Sequence, residues 1–162
     1  MGTKMTSTNM ISTNMSGSKW LVVAGACFAA VGVGLGAIGA HSLPNYLTSQ
    51  QILHGTETNK AQEETDKKLN NFEKGVRYQL YHAMAILGIG FSPLSSQSRG
   101  LRIGAYWMAL GIVLFSGGIY GIVFTTYPTH WIVPFGGLSF ILGWIWLAVS
   151  VAFDSTTEKV KW

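Results

Sequence analysis

Acidic side chains are missing from the whole stretch between Lys74 and Phe153, and charge of either sign is scarce throughout. Asp, Glu, Lys and Arg together make up 11% of the 162 residues, where a soluble domain carries about 25%. The missing carboxylates exclude the usual design of a proton- or ion-coupled transporter, which places them inside its spans. They also leave no Asp or Glu within the apolar runs to complete a common metal site. The single cysteine, Cys27, excludes an internal disulfide. The net charge of +4 comes from basic residues scattered at the ends of apolar runs. Without a basic patch interleaved with aromatics, nucleic acid is not an expected partner. No nucleophile and base stand at a spacing that implies catalysis, so Ser116 and Ser139 read as helix-packing hydroxyls, and no cofactor is called for.

What is abundant is apolar: 48% of the residues, with six Trp, six Tyr and 20 Gly, aromatics and glycine both being enriched in membrane-spanning chains. Residues 1–19 are a polar Ser/Thr/Asn/Met tail, suited to an unstructured terminus or a targeting segment. Its start, "MGTKMT", also fits a loose N-myristoylation pattern. An uncharged run over 20–40 follows, long enough for a bilayer core of about 30 Å at about 1.5 Å per residue. Residues 41–66 read as a polar loop, with a turn at Pro44–Asn45 and a helix cap near Thr65. Leu69, Phe72, Val76 and Leu80 then recur at helical spacing, an amphipathic lead-in to a second helix over about 67–92. Two further spans are expected at 103–126 and 131–153, joined by a tight turn at Tyr127–His130. Residues 154–162 form a C-terminal tail. The expected fold is all-α: an antiparallel four-helix transmembrane bundle with both termini on one side. That side holds six basic residues against five on the other, which favours the cytoplasmic or matrix side for the termini.

One motif competes with this reading. Gly34-Leu-Gly36-Ala-Ile-Gly39 matches the dinucleotide fingerprint G-x-G-x-x-G. That motif requires a preceding strand, a helix opening on the glycines and exposure to a pyrophosphate. A membrane-length apolar segment offers none of these, so no nucleotide is expected. The glycines instead continue a spacing of three and four through Gly25, Ala29, Gly32, Gly36 and Ala40, a small-residue face that lets another backbone approach. Gly117 and Gly121 repeat the device in the third span, and Gly136, Ser139 and Gly143 in the fourth.

His41 closes the first span and His82 lies just inside the second. In an antiparallel hairpin the two should fall near one membrane face, as haem or metal ligands or in interfacial hydrogen bonds. A polar cluster of Glu73, Arg77, Tyr78 and His82 fits the second role, with Glu73 and Arg77 as an i, i+4 pair.

Four segments in order, "GAIGAHSL" (36–43), "VRYQLYHAMAIL" (76–87), "LFSGGIY" (114–120) and "PFGGLSFILGW" (134–144), resemble the transmembrane protein 256 family, also called domain of unknown function 423, with YgdD-like bacterial members. The resemblance covers about residues 20–153. It implies a four-helix protein of the mitochondrial or bacterial inner membrane, with the mitochondrial setting favoured and no established activity. The family pattern includes histidines matching His41 and His82. Two departures are the polar tail before Trp20 and a longer segment between His41 and Val76. The expected function is a non-catalytic accessory subunit of a larger inner-membrane complex, with a respiratory complex as the candidate and lipid and other membrane subunits as partners. A small oligomeric carrier using Ser116, Tyr120 and Ser139, or a bis-histidine haem protein, are the alternatives.

Overall fold

A computed structural model of the protein describes residues 8–53, 57–96, 98–125 and 129–154. The acylation pattern at the first residues, the Tyr127–Pro128 part of the expected turn and the tail beyond Asp154 lie outside them. Among the described residues the chain is helical without strands: α1 (Thr8–His41), α2 (Leu43–Leu53), α3 (Thr58–Phe91), α4 (Arg99–Gly111), α5 (Gly117–Phe124) and α6 (Val133–Asp154). A π-turn over Ile112–Ser116 joins α4 and α5 into one rod, and short 3-10 turns stand at Pro93–Ser96 and Thr129–Trp131. Three segments are long and apolar enough to cross a membrane: Lys19–His41, Arg99–Phe124 and Thr129–Phe153.

The segment expected as a polar loop is the main correction. Only Ser42 separates α1 from α2, its N–H donating to the Ile38 carbonyl at 3.0 Å. Pro44 does not turn the chain away; it sits in the first turn of α2, where its missing N–H costs nothing and its fixed φ suits the helix. Leu43, Leu47 and Gln51, one stripe at spacing four, are the buried residues of α2. Nor does Thr65 cap a helix. α3 already begins at Thr58, and Thr65 is fully buried in its second turn, its hydroxyl 3.4 Å from that of Thr48, which itself donates to the Pro44 carbonyl. Local pairs on the exposed face support this early start: Lys67 to Glu63 at 2.6 Å, Gln62 to Asp66 at 3.0 Å and Lys60 to Glu57 at 3.2 Å. The Lys67 ammonium, by hydrogen bond and charge, holds the Glu63 carboxyl below its ordinary range.

α3 is the axis of the molecule. α1 lies antiparallel along it, with Gly39 beside Phe72, Gly36 beside Val76, Gly32 beside Leu80 and Gly25 beside Leu87. The α4–α5 rod and α6 form a second antiparallel pair, with Gly104 facing Gly143 and Phe115 facing Gly136. Two apolar clusters result. One gathers Leu21, Ile86, Leu101, Met108, Ile112 and Phe140; the other gathers Leu43, Leu47, Phe72, Val76 and Val123. The outward faces are also apolar, including Val23, Val31 and Ile38 on α1 and Leu138, Ile141, Ile145 and Val149 on α6. A surface of this kind is matched to lipid.

Candidate functional site: the polar layer between the two apolar clusters

Along α3, Phe72 and Val76 belong to one cluster and Ala83 and Ile86 to the other. Between them stand two buried polar side chains, Gln79 and His82, 3% and 5% exposed. Polar groups at such depth need partners, because neither lipid nor apolar neighbours supply any.

Gln79 has both ends engaged. Its Nε2 donates to the Phe28 carbonyl of α1 at 2.8 Å, and its Oε1 accepts from the Tyr120 hydroxyl at 2.9 Å. Gly32 opens the way: a Cβ there would stand 3.4 Å from that Nε2 and 2.9 Å from Leu80 Cδ2. One amide thus ties α1, α3 and α5 together. One turn earlier on α3, the Gly75 carbonyl accepts from the buried Ser116 hydroxyl at 2.8 Å. Ser116 reaches it from the π-turn, whose extra residue shifts the register of the rod. The neighbouring Phe115 ring lies 4.9 Å from the Tyr78 ring.

His82 is likewise fully used. Its Nε2 stands 3.2 Å from Trp144 Nε1, and its Nδ1 stands 2.8 Å from the Tyr78 carbonyl. An indole N–H only donates, so Nε2 accepts and Nδ1 carries the proton that it donates to Tyr78. The ring is therefore held as the neutral Nδ1–H form, stacked on Phe140 at 3.5 Å between centroids.

The structure separates the two histidines. His41 is exposed at the end of α1, at the level of Phe72, where Gly39 packs. His82 lies ten residues further along α3, about 15 Å at the helical rise. The expectation of a shared membrane face took the first half of this helix to lie at the membrane surface, with only its second half beside α1. α1 instead packs along α3 from Phe72 to Leu87, so His82 falls within that seam and not at its end.

Of the cluster of Glu73, Arg77, Tyr78 and His82, Tyr78 and His82 come together while Glu73 and Arg77 stand apart from them. Nine residues separate Glu73 from His82, which at about 100° per residue places them on opposite faces of α3. Glu73 and Arg77 are both exposed, and the ion pairs among the described residues are Lys60–Glu57 and Lys67–Glu63. Tyr78 contributes its backbone carbonyl to His82, and its ring lies 6.2 Å from the His82 ring and 4.9 Å from that of Phe115.

The glycines divide. Gly32 and Gly36 face α3, Gly121 meets Thr129, Gly136 meets the Phe115 backbone and Gly143 meets Met108. Gly117 has nothing within 4 Å of where a Cβ would stand, because the π-turn rotates it outward. In the fingerprint stretch, Gly34 is open to the outside while Gly36 and Gly39 face α3 side chains, an arrangement of helix packing. Ser139 donates to the Phe135 carbonyl of its own helix. Among the described residues no three His, Cys, Asp or Glu side chains come together as a metal site.

The sequence reading passed over Gln79 and Trp144. The available signal was an uncharged polar residue alone on the apolar half of α3, three positions after the buried Val76.

An all-helical interior tied by buried hydrogen bonds, inside an apolar exterior with membrane-length helices, defines a small integral membrane protein. Comparison with known proteins makes the class specific. The family model described as "Protein of unknown function (DUF423)" matches residues 35–137, and the chain belongs to that family. It is 34% identical over 134 residues to the UPF0382 membrane protein YwdK of Bacillus subtilis, covering 82% of this chain and 95% of the relative. The UPF0382 membrane protein SH2409 of Staphylococcus haemolyticus is 32% identical over 133 residues, with 82% and 94% covered. The UPF0382 inner membrane protein YgdD of Escherichia coli is 31% identical over 138 residues, with 82% and 88% covered. No solved structure matches the chain.

Proposed function

We propose that the chain is a non-catalytic accessory subunit of a larger inner-membrane complex, built as a four-helix bundle of α1, the second half of α3, the α4–α5 rod and α6. The observation that carries this reading is the state of the polar layer. Gln79, Ser116, Tyr120 and His82 each have a protein partner, so the centre of the bundle offers no open ligand or reacting group. What the chain presents to its surroundings is surface.

The α1 register supports a fourth crossing. Gly25 to Gly39 of α1 lie against Leu87 to Phe72 of α3, so a membrane around α1 also surrounds that part of α3. Hydropathy alone passes over it because Glu73, Lys74 and Arg77 stand at one end, where long side chains reach the interface. The least apolar helix is the one enclosed by the others, which is where polar residues are cheapest in a membrane. A carrier path through Ser116, Tyr120 and Ser139 is disfavoured because each hydroxyl donates to a protein acceptor. A bis-histidine haem is disfavoured because His82 Nε2 already accepts from Trp144.

The setting we propose is an inner membrane of mitochondrial or bacterial type, with both termini on its matrix or cytoplasmic face, where six of the eleven basic residues fall. The curated relatives named above are bacterial. The test is purification in mild detergent with native mass measurement and identification of co-purifying chains. Ala26, Ala30 and Gly34 form an exposed small-residue stripe on α1, and Gly34 has no neighbour within 4 Å. Gly34→Leu should therefore leave the fold intact and release a partner helix docked there. A wild-type chain that always migrates alone would sink the proposal.

A further inference from the structure

A cavity of about 280 Å³ opens where α2, α3 and the end of α5 meet, with Tyr46, Leu47, Gln51, Glu64, Lys68 and Val123 in its wall. It is separate from the polar layer and has a polar demand of its own. Gln51 is only 8% exposed, and its Nε2 is buried with no hydrogen-bond partner. A donor left so costs stability unless something outside the chain accepts from it.

Charge in the wall narrows what that acceptor is. Glu64 and Lys68 stand one turn apart on α3 at a spacing that commonly pairs. Yet the ion pairs among the described residues are Lys60–Glu57 and Lys67–Glu63, so both charges stay available to the cavity. One cation, one anion and one unpaired N–H, over an apolar floor of Leu47 and Val123, suit a compact zwitterion.

Position narrows it further. The apolar span of α1 ends at His41 and that of the α4–α5 rod at Phe124, so the cavity lies at the membrane boundary. Around it α2 exposes Tyr46, Ile52 and Leu53, and α5 exposes Phe124, residues that favour the headgroup level and the upper acyl chains.

We propose that this cavity binds the headgroup of an aminophospholipid, with its phosphate against Lys68 and the Gln51 amide and its primary ammonium against Glu64. The same chemistry occurs in free phosphoethanolamine, and the experiment separates the two sources. Full-length protein is placed in nanodiscs of equal parts phosphatidylethanolamine, phosphatidylcholine and phosphatidylglycerol, and the lipid retained on release is identified by native mass spectrometry. Phosphatidylcholine cannot donate an N–H to Glu64 and phosphatidylglycerol has no cation, so phosphatidylethanolamine should be retained over both by about tenfold. Lys68→Gln should remove most of that retention, and Glu64→Gln should erase the preference over phosphatidylcholine. Gln51→Leu guards against a purely structural explanation. In lipid-free detergent it should raise the unfolding midpoint by deleting an unpaired donor, while losing the retained lipid. A midpoint raised by free phosphoethanolamine, without lipid preference, would keep the site's chemistry and assign it to a soluble zwitterion. Equal retention of all three lipids by wild type and variants, with no response to phosphoethanolamine, would overturn the proposal. So would preferential retention of phosphatidylglycerol.

Discussion

Two stretches of the helix seams in this molecule use glycine in different ways. Where α1 lies on α3, from Gly32 to Gly39, glycines open a groove into which side chains fit. A Cβ would meet Leu80 at 2.9 Å, Val76 at 3.5 Å and Phe72 at 2.9 Å. At Gly104, Gly136 and Gly143, where the α4–α5 rod lies on α6, backbone comes close to backbone. Gly104 and Gly143 each face the other's carbonyl at 3.2 Å, and Gly136 would put a Cβ 2.7 Å from Phe115 Cα. A side-chain end can rotate aside by a few tenths of an ångström, whereas a helix backbone moves only with its whole helix. The Gly32–Gly39 stretch of the first seam should therefore absorb substitutions that Gly104, Gly136 and Gly143 do not, whereas Gly25 and Gly90, which face the Ala83 carbonyl at 3.0 Å and the Val22 nitrogen at 2.8 Å, should resist them as well. In return the first seam carries a directed polar tie, Gln79 to the Phe28 carbonyl.

The sharpest way to break this comparison is at Gly136. Gly136→Ala forces its methyl into the Phe115 backbone, on the π-turn that also delivers Ser116 to Gly75. We predict a loss of about 3 kcal/mol, at the upper end of overpacking costs, read as a lowered unfolding midpoint in mild detergent. An unchanged midpoint would mean that the backbones of the π-turn and α6 are not in contact.

Next in size is the polar tie. Gln79→Leu keeps the approximate volume but strands the Tyr120 hydroxyl, which is half-buried against Phe72. The cost should be about 2 kcal/mol, and the double variant with Tyr120→Phe should recover about half of it. Additive losses in that cycle would show that the two side chains are not coupled.

The legible part of the fold was what repeats. Apolar runs bounded by charge gave three spans, and spacings of three and four placed Gly32, Gly36 and Gly143 on facing sides of helices. What escaped was decided by contacts between distant residues. Pro44 and Asn45 carry a turn signal, yet burial of Leu43 and Leu47 against α3 makes helix the better outcome there. Charge along Glu57 to Asp66 reads as loop, but local ion pairs and the buried Ala61 and Thr65 make it the start of α3. His41 and His82 are apart because α1 packs along α3 from Phe72 to Leu87. No local pattern reports that Gln79 meets a carbonyl 51 residues away, or that a π-turn rotates Gly117 outward while bringing Ser116 in. The candidate site was thus legible in single residues, His82, Ser116 and Tyr120, but not in the contacts that join them to Trp144, Gly75 and Gln79.

The smallest effects test the tolerant seam against the open face of the same helix. Gly32→Ala should cost about 1 kcal/mol, because Leu80 Cδ2 yields while the Gln79 amide, 3.4 Å from the new methyl, is nudged off the Phe28 carbonyl. Gly34→Ala, two residues on, meets nothing within 4 Å. There the gain in helix propensity acts alone, and the midpoint should rise by the equivalent of about 0.5 kcal/mol. The two substitutions add the same methyl to the same helix in the same surroundings of chain and lipid. A difference in sign between them therefore isolates the contact with α3 from any general effect of replacing glycine in a membrane helix. If both raise the midpoint, the groove between α1 and α3 is looser than the 2.9 Å approach at Leu80 implies. If both lower it, the open face at Gly34 is already occupied by a partner, which the mass measurement would identify.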